Sequence, residues 1–207
     1  VVEARTLILA TNGYSSEDVT GWMAGRYLPV QSNILVTRPL TGEEVQAQGW
    51  TTAQMTYDTR NLLHYFRLMP DNRMLFGMRG GITADVPTLK RRKRLMRRHF
   101  DRMFPTWSAV ETPHFWSGLL CFARNLTPYV GPLGGLSRAF TAFAYHGNGV
   151  AMGSYAGALL SDLAAGGPVT RPYPAAMRVP ATRFPLGRYR RALLAPTVGA
   201  YALMDMR

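Results

Sequence analysis

The sequence predicts a mixed α+β fold, and three stretches carry that expectation. Residues 138–166 read as a strand of alternating bulky and small residues, a glycine turn, and an apolar helix over 150–165. Residues 61–69 and 74–78 read as the two strands of a hairpin, joined by Pro70, Asp71, Asn72 and Arg73, whose types favour a tight turn. Residues 89–104 place Leu89, Met96, Phe100, Met103 and Phe104 near helical spacing under a coat of Lys and Arg, and Pro105 ends that amphipathic helix. The expected sheet is mixed or antiparallel.

The remaining elements fill in around these. Residues 6–14 (TLILATNGY) form an apolar run ending in Thr, Asn and Gly, as does a strand buried on both faces of a parallel or mixed sheet. Ligand crevices in such sheets lie beyond the carboxyl ends of the strands, which makes residues 11–13, from Thr11 to Gly13, a candidate ligand edge. Residues 28–39 alternate as a strand, 41–44 begin a loop or one helical turn, and 114–122 and 127–133 are further strands. Prolines and arginines after Gly166 suggest an extended strap, and 193–204 then docks as a short helix or strand.

Two places could do chemistry. In the turn Tyr145-His146-Gly147-Asn148-Gly149, two glycines flank one residue, so the backbone can approach a flat ligand closely. The amides that open the next helix, near Val150 and Ala151, have no intrahelical partner and can donate to an anionic or carbonyl oxygen. Ala151, Gly153, Ala156, Gly157 and Ala158 would let that helix lie close to a sheet or a cofactor. A tight connection that binds nothing fits the same residues. On the hairpin's first strand Tyr65 and Arg67 share one face, which suits a polar substrate or a merely solvated surface, while His64 and Phe66 take the other.

At 207 residues and 47% apolar content the chain is ordinary for a globular protein. A single cysteine, Cys121, excludes an internal disulfide and a cysteine-based metal site, and suggests a reducing, cytoplasmic setting. His64, His99, His114 and His146 are scattered without metal-ligand spacing, and no acid/base carboxylate pair, nucleophile elbow or phosphate loop stands out. No metal is expected, no catalytic side chain is identified, and any catalysis would fall to a bound cofactor. No apolar run is long enough to cross a bilayer, and a start inside a strand suggests the later part of a longer polypeptide. The net charge of +12 gathers in residues 90–102 and in the tail. That basic run is either a solvated face or the footprint of a module for nucleic acid or an acidic partner. Nucleic acid fits poorly, because the aromatics there belong to the core-facing stripe.

Three blocks in matching order resemble the second part of FAD-dependent oxidoreductases of the D-amino acid oxidase (DAO) family. They are TLILATNGY at 6–14, YFRLMPDNRMLFG at 65–77, and Trp116-Ser117-Gly118 through Pro128-Tyr129-Val130-Gly131-Pro132 to YHGNGVA at 145–151. The Tyr-Phe-Arg hairpin and the Arg183-Phe184-Pro185-Leu186 tail are most similar to gamma-glutamylputrescine oxidase-like amine oxidases. The resemblance implies a DAO-type substrate domain plus strand and helix pieces of a Rossmann-like FAD domain. By segments, residues 1–16 belong to the FAD domain, 17–122 to the substrate sheet, 123–166 return to the FAD domain, and 167–207 form a strap.

For the site, the resemblance implies Thr11, Gly13, Gly147, Asn148, Gly149, Val150 and Ala151 toward FAD, and Tyr65, Arg67 and His146 toward a small amine or amino-acid-like substrate that loses a hydride to the flavin. Leu120 stands where glycine oxidase-like members carry an Arg for the substrate carboxylate, Ala151 where sarcosine oxidases carry a Lys, and Asn148 where many relatives carry His. A simple amino-acid substrate is therefore not implied, nor is flavin attachment through Cys121. The family's Gly-x-Gly-x-x-Gly half is the partner such a chain would need, and apolar faces exposed without it imply self-association.

Overall fold

Sheets organise the molecule, and each lies where the sequence alternates or turns apolar. In a computed structural model describing residues 1, 3–18 and 20–206, the chain falls into two units. Unit 1 comprises Val1–Val30 with Leu119–Leu193, and unit 2 comprises Gln31–Gly118 with Leu194–Arg207. The architecture is α+β, with one parallel strand pair and otherwise antiparallel pairing where the register is defined.

Unit 2 is built on strands β2 (Leu28–Val36), β3 (Thr56–Tyr57), β4 (His64–Leu68), β5 (Met74–Arg79) and β6 (His114–Phe122), in spatial order β3-β4-β5-β2-β6; β2 and β6 run on into unit 1. The hairpin turn closes with Asn72 at φ 60° and with Met69 N donating to Arg73 O at 2.9 Å. Its register sets Tyr65 opposite Gly77 and Phe66 opposite Phe76. Helix α1 (Gly42–Ala47) opens with a reciprocal capping box between Thr41 and Glu44. The bidentate Arg38 pair and the Thr41 amide hold the Glu44 carboxyl down at about 2. Helix α2 (Val86–Met103) starts at Asp85, whose carboxylate accepts from Thr88 N at 2.9 Å. Met96 and Phe100 face inward and join Leu35, Met74, Phe76, Phe104 and Trp107 in an aromatic core, each at most 3% exposed. Helix α5 (Leu194–Met204) completes the unit's sequence, and Asp205 just beyond it accepts from the Asn61 and Leu62 amides at 2.8 Å.

In unit 1, β1 (Leu7–Leu9) pairs in parallel with β8 (Ala139–Phe143), which pairs antiparallel with β7 (Tyr129–Pro132). Helix α3 (Gly149–Ala165) ends at Gly166 in the left-handed region, φ 73°. The tail is not an extended strap: it folds into α4 (Ala175–Arg178) and a 3-10 turn over Gly187–Leu193, followed by α5 in the other unit. Arg190, 3% exposed, pairs with Glu17 and donates to Tyr27 O, and that buried pairing draws the segment into a turn.

Two more expectations are corrected. Strand β1 is not buried on both faces: it is an edge strand, and Leu7 and Ile8 are each 44% exposed. Of the small residues of α3, Ala156 makes the close contact with the sheet, packing with Leu159 and Leu160 on Val130 and Ala142, whereas Gly153 and Gly157 face open space. The physical reason is common to both: a run of apolar or small side chains shows what a surface can bury, and the surface itself comes from elsewhere in the fold. Among the described residues, no helix is long and apolar enough to cross a membrane.

Candidate functional site

Parallel pairing brings the carboxyl ends of β1 and β8 to the same side of the small sheet, and Asn12 joins them. Its side-chain Oδ1 accepts from Ala144 N at 3.0 Å, while its own backbone sits at φ 46° inside the 3-10 turn Asn12–Tyr14. Asn tolerates that region better than most side chains. Thr11 Oγ1 meets Ser15 Oγ at 2.6 Å, and Tyr27 OH donates to Ser15 O, so the turn is pinned from both sides. A Cβ on Gly13 would lie 3.1 Å from Leu119 O and 3.2 Å from Leu120 O, so glycine lets the turn pack directly on the backbone of β6.

Across from it, Ala144, His146 and Gly147 all have positive φ, at 67°, 55° and 108°. His146 N donates to Cys121 O at 3.2 Å, and its ring Nε2 accepts from Ala123 N at 3.0 Å. The ring thus docks onto the end of β6 with its proton assigned to Nδ1, and burial lowers its pKa. Gly147, Asn148, Gly149, Val150 and Ala151 are exposed. The α3 N-cap Asn148 makes no side-chain capping bond and the first turn carries no acidic residue. The opening amides of a 17-residue helix are therefore presented outward with their positive dipole end uncompensated. Such amides can donate to an anionic or carbonyl oxygen. Cys121 is 1% exposed, and burial pushes its thiol up to about 12, which keeps it unreactive.

In unit 2, Tyr65 and Arg67 share one face of β4, as the strand alternation requires. The Tyr65 ring lies over Gly77, where a Cβ would come within 2.1 Å of it, and its hydroxyl meets Ser32 Oγ at 2.8 Å. Burial raises the Tyr65 pKa. Arg67 Nε donates to Ala53 O at 2.9 Å. Gln31 Nε2 reaches Ser117 Oγ at 3.1 Å nearby on the same sheet, extending a row of neutral hydrogen-bonding groups.

In unit 1 Asn12 ties the turn that holds Thr11 and Gly13 to Ala144, two residues before His146, and in unit 2 Tyr65 stands with Arg67 on one face of β4. Sequence reasoning put Asn12 within the 11–13 edge but missed its bond to Ala144, and it missed Ser32, for which there was no signal. It also missed a buried pairing of histidines. His64 Nδ1 is 2.5 Å from Asp58 Oδ2 and its Nε2 is 2.8 Å from His99 Nδ1, joining positions that look scattered in the sequence. Among the described residues no group of three or more His, Cys, Asp or Glu could hold a metal.

The fold and this strand-end arrangement define a class, and residues 1–163 match the family model described as FAD dependent oxidoreductase, DAO. The chain belongs to that family. It is 32% identical over 214 residues to a probable oxidoreductase OrdL of Rhizobium meliloti (strain 1021), covering 99% of this chain and 46% of that protein. A gamma-glutamylputrescine oxidoreductase of Escherichia coli (strain K12) is 27% identical over 200 residues, covering 97% of this chain and 45% of that protein. The chain therefore spans about half the length of the curated relatives it matches. Among solved structures, iminodiacetate oxidase from Chelativorans sp. BNC1 superposes with TM-score 0.65 at 14% identity, covering 87% of this chain and 48% of that one. Glycine oxidase from Geobacillus kaustophilus does so with TM-score 0.64 at 16% identity, covering 87% and 46%. These two likenesses show the shared fold.

Proposed function

We propose that these residues form part of an FAD-dependent oxidoreductase acting on a small amine, with no role for a simple amino-acid carboxylate. The observation that supports the reading is the Asn12 bond to Ala144, which ties the ends of β1 and β8 together ahead of the uncapped start of α3. In this reading Thr11, Gly13 and the backbone of Gly147, Asn148, Gly149, Val150 and Ala151 hold the flavin's pyrimidine edge. FAD supplies the acceptor for a hydride from the substrate carbon beside nitrogen. The positive end of α3 favours the negative charge that reduction places on the ring edge. Tyr65 and Arg67 form a substrate wall. His146, anchored to Ala123, holds the turn in place and offers its Nδ1–H as a donor.

By segments, residues 1–16 and 123–166 serve the flavin domain, 17–122 the substrate sheet, and 167–207 a closing tail. The 207 residues contain no Gly-x-Gly-x-x-Gly run, so by themselves they are expected to bind FAD weakly and turn nothing over. The amine preference rests on the family resemblance, which puts Leu120 of β6 where glycine oxidase-like members carry an Arg for the substrate carboxylate. A likeness to the gamma-glutamylputrescine oxidoreductase points the same way. The test is purification of the full-length protein followed by flavin absorbance and anaerobic reduction with a panel of amines and amino acids. A flavin-free product sinks the reading, and reduction by glycine or proline in preference to amines removes the amine preference.

A further inference from the structure

Helix α2 carries eight cationic side chains along 18 residues and one carboxylate, Asp101. That carboxylate pairs with Arg97 at 2.8 Å, and Arg97 is itself committed to the carbonyls of Val110, Trp107 and Ser108. Arg91, Arg94, Arg98 and Arg102 recur at i, i+3, i+7 and i+11, which puts them on one stripe, opposite the buried Met96 and Phe100. None of the four has a carboxylate within ion-pair distance among the described residues; Arg91 reaches the Thr88 hydroxyl at 3.2 Å. Like charges at these spacings repel, so the bare stripe weakens the helix that bears it.

The stripe also has a shape. Thr88, Arg91, Arg92, Arg94, Leu95 and Arg98 line a groove of about 350 Å³, within the range of small-ligand sites, roughly 300–1,000 Å³. Guanidinium forks set side by side match the paired oxygens of phosphate, and Leu95 gives the floor an apolar spot. Asp85, the carboxylate at the start of the helix, is engaged by Thr83 and by the Thr88 amide.

The geometry points to a phosphate-binding groove on the exposed face of α2 that takes a polyphosphorylated small molecule or a phospholipid headgroup. The shared chemistry is two or more phosphate oxygens spanning Arg91, Arg94 and Arg98. The positive field of the stripe is felt by its neighbour: burial, His64, Arg60, Arg102 and Arg98 together hold His99 down at about 4. An anion seated in the groove offsets part of that field and raises the His99 pKa.

The test is isothermal titration of the protein with sodium tripolyphosphate at low and high salt, beside sedimentation with phosphatidylglycerol vesicles and with phosphatidylcholine vesicles. Saturable, salt-weakened binding of tripolyphosphate is expected, with the His99 ring resonances titrating at higher pH in the complex. The variant Arg91→Gln/Arg94→Gln/Arg98→Gln should lose roughly tenfold in affinity for each guanidinium removed while melting no lower than the parent. A control, Arg5→Gln/Arg124→Gln/Arg188→Gln, removes the same charge from exposed positions in unit 1 and should bind as the parent does. Stripe-dependent binding confined to phosphatidylglycerol vesicles supports the groove and assigns its ligand to lipid. No binding in either arm, or an equal loss in the control, overturns the groove.

Discussion

Unit 2 gathers its aromatic rings into one core, whereas unit 1 divides its buried side chains between two smaller clusters and keeps an apolar strand at the edge of its sheet. Around Phe76, Phe100, Phe104 and Trp107 the rings pack on one another at centroid distances of 5.1 to 6.4 Å, and all four are almost wholly buried. In unit 1, Leu7 and Ile8 stand exposed on an edge strand, and Val150, in the first turn of α3, is 95% exposed. The contrast separates two uses of hydrophobic sequence. A filled core holds a unit together, while an exposed apolar edge strand keeps backbone and side chains open to pairing.

The contrast can be broken most sharply at Phe100. Replacing it by alanine should cost about 3–5 kcal/mol, read by urea unfolding through Trp50 and Trp107, because the aromatic core cannot collapse around the hole. In unit 1 the comparable experiment is Asn12→Ala, which leaves the Ala144 amide without its acceptor and should cost about 1–3 kcal/mol. In the flavin-loaded protein the same variant should also weaken FAD binding; unchanged FAD affinity would detach Asn12 from the site.

Next is a graded effect confined to unit 2. His99 sits at about 4, below its ordinary 6.5, so the unfolded chain takes up the proton first. Stability contributed by the neutral ring is fully present above pH 6.5 and is lost as pH falls toward 4. His99→Asn should flatten that part of the pH profile, and an unaltered profile would refute the assignment. The smallest effect is expected at the open edge: Ile8→Lys should change stability by no more than about 0.5 kcal/mol. Light scattering should show less self-association in that variant if the apolar edge drives it.

Much of the fold could be read from residue pattern because its signals are local. Asp85 and Pro87 mark the start of α2 and Pro105 follows its end; the Pro70–Arg73 turn types mark the hairpin; and glycines mark both ends of α3. Which side of β4 carries Tyr65 and Arg67 followed from alternation alone. The burial of β1 was misread because an apolar run looks the same at the edge of a sheet as in the middle. The role of Asn12 was missed because its partner, Ala144, lies far along the chain, and no local pattern announces a side-chain bond of that range.

Periodicity, turn chemistry and capping are properties of neighbours in the chain, so the sequence by itself determined the α+β class, the order of elements and the glycine turn before α3. Tertiary structure alone decided which strand ends meet, which apolar faces stay open, and that His64 and His99, distant in sequence, share a hydrogen bond. The physical reason is that these depend on packing between remote segments, where the energy of a contact is set by what the rest of the fold brings to it.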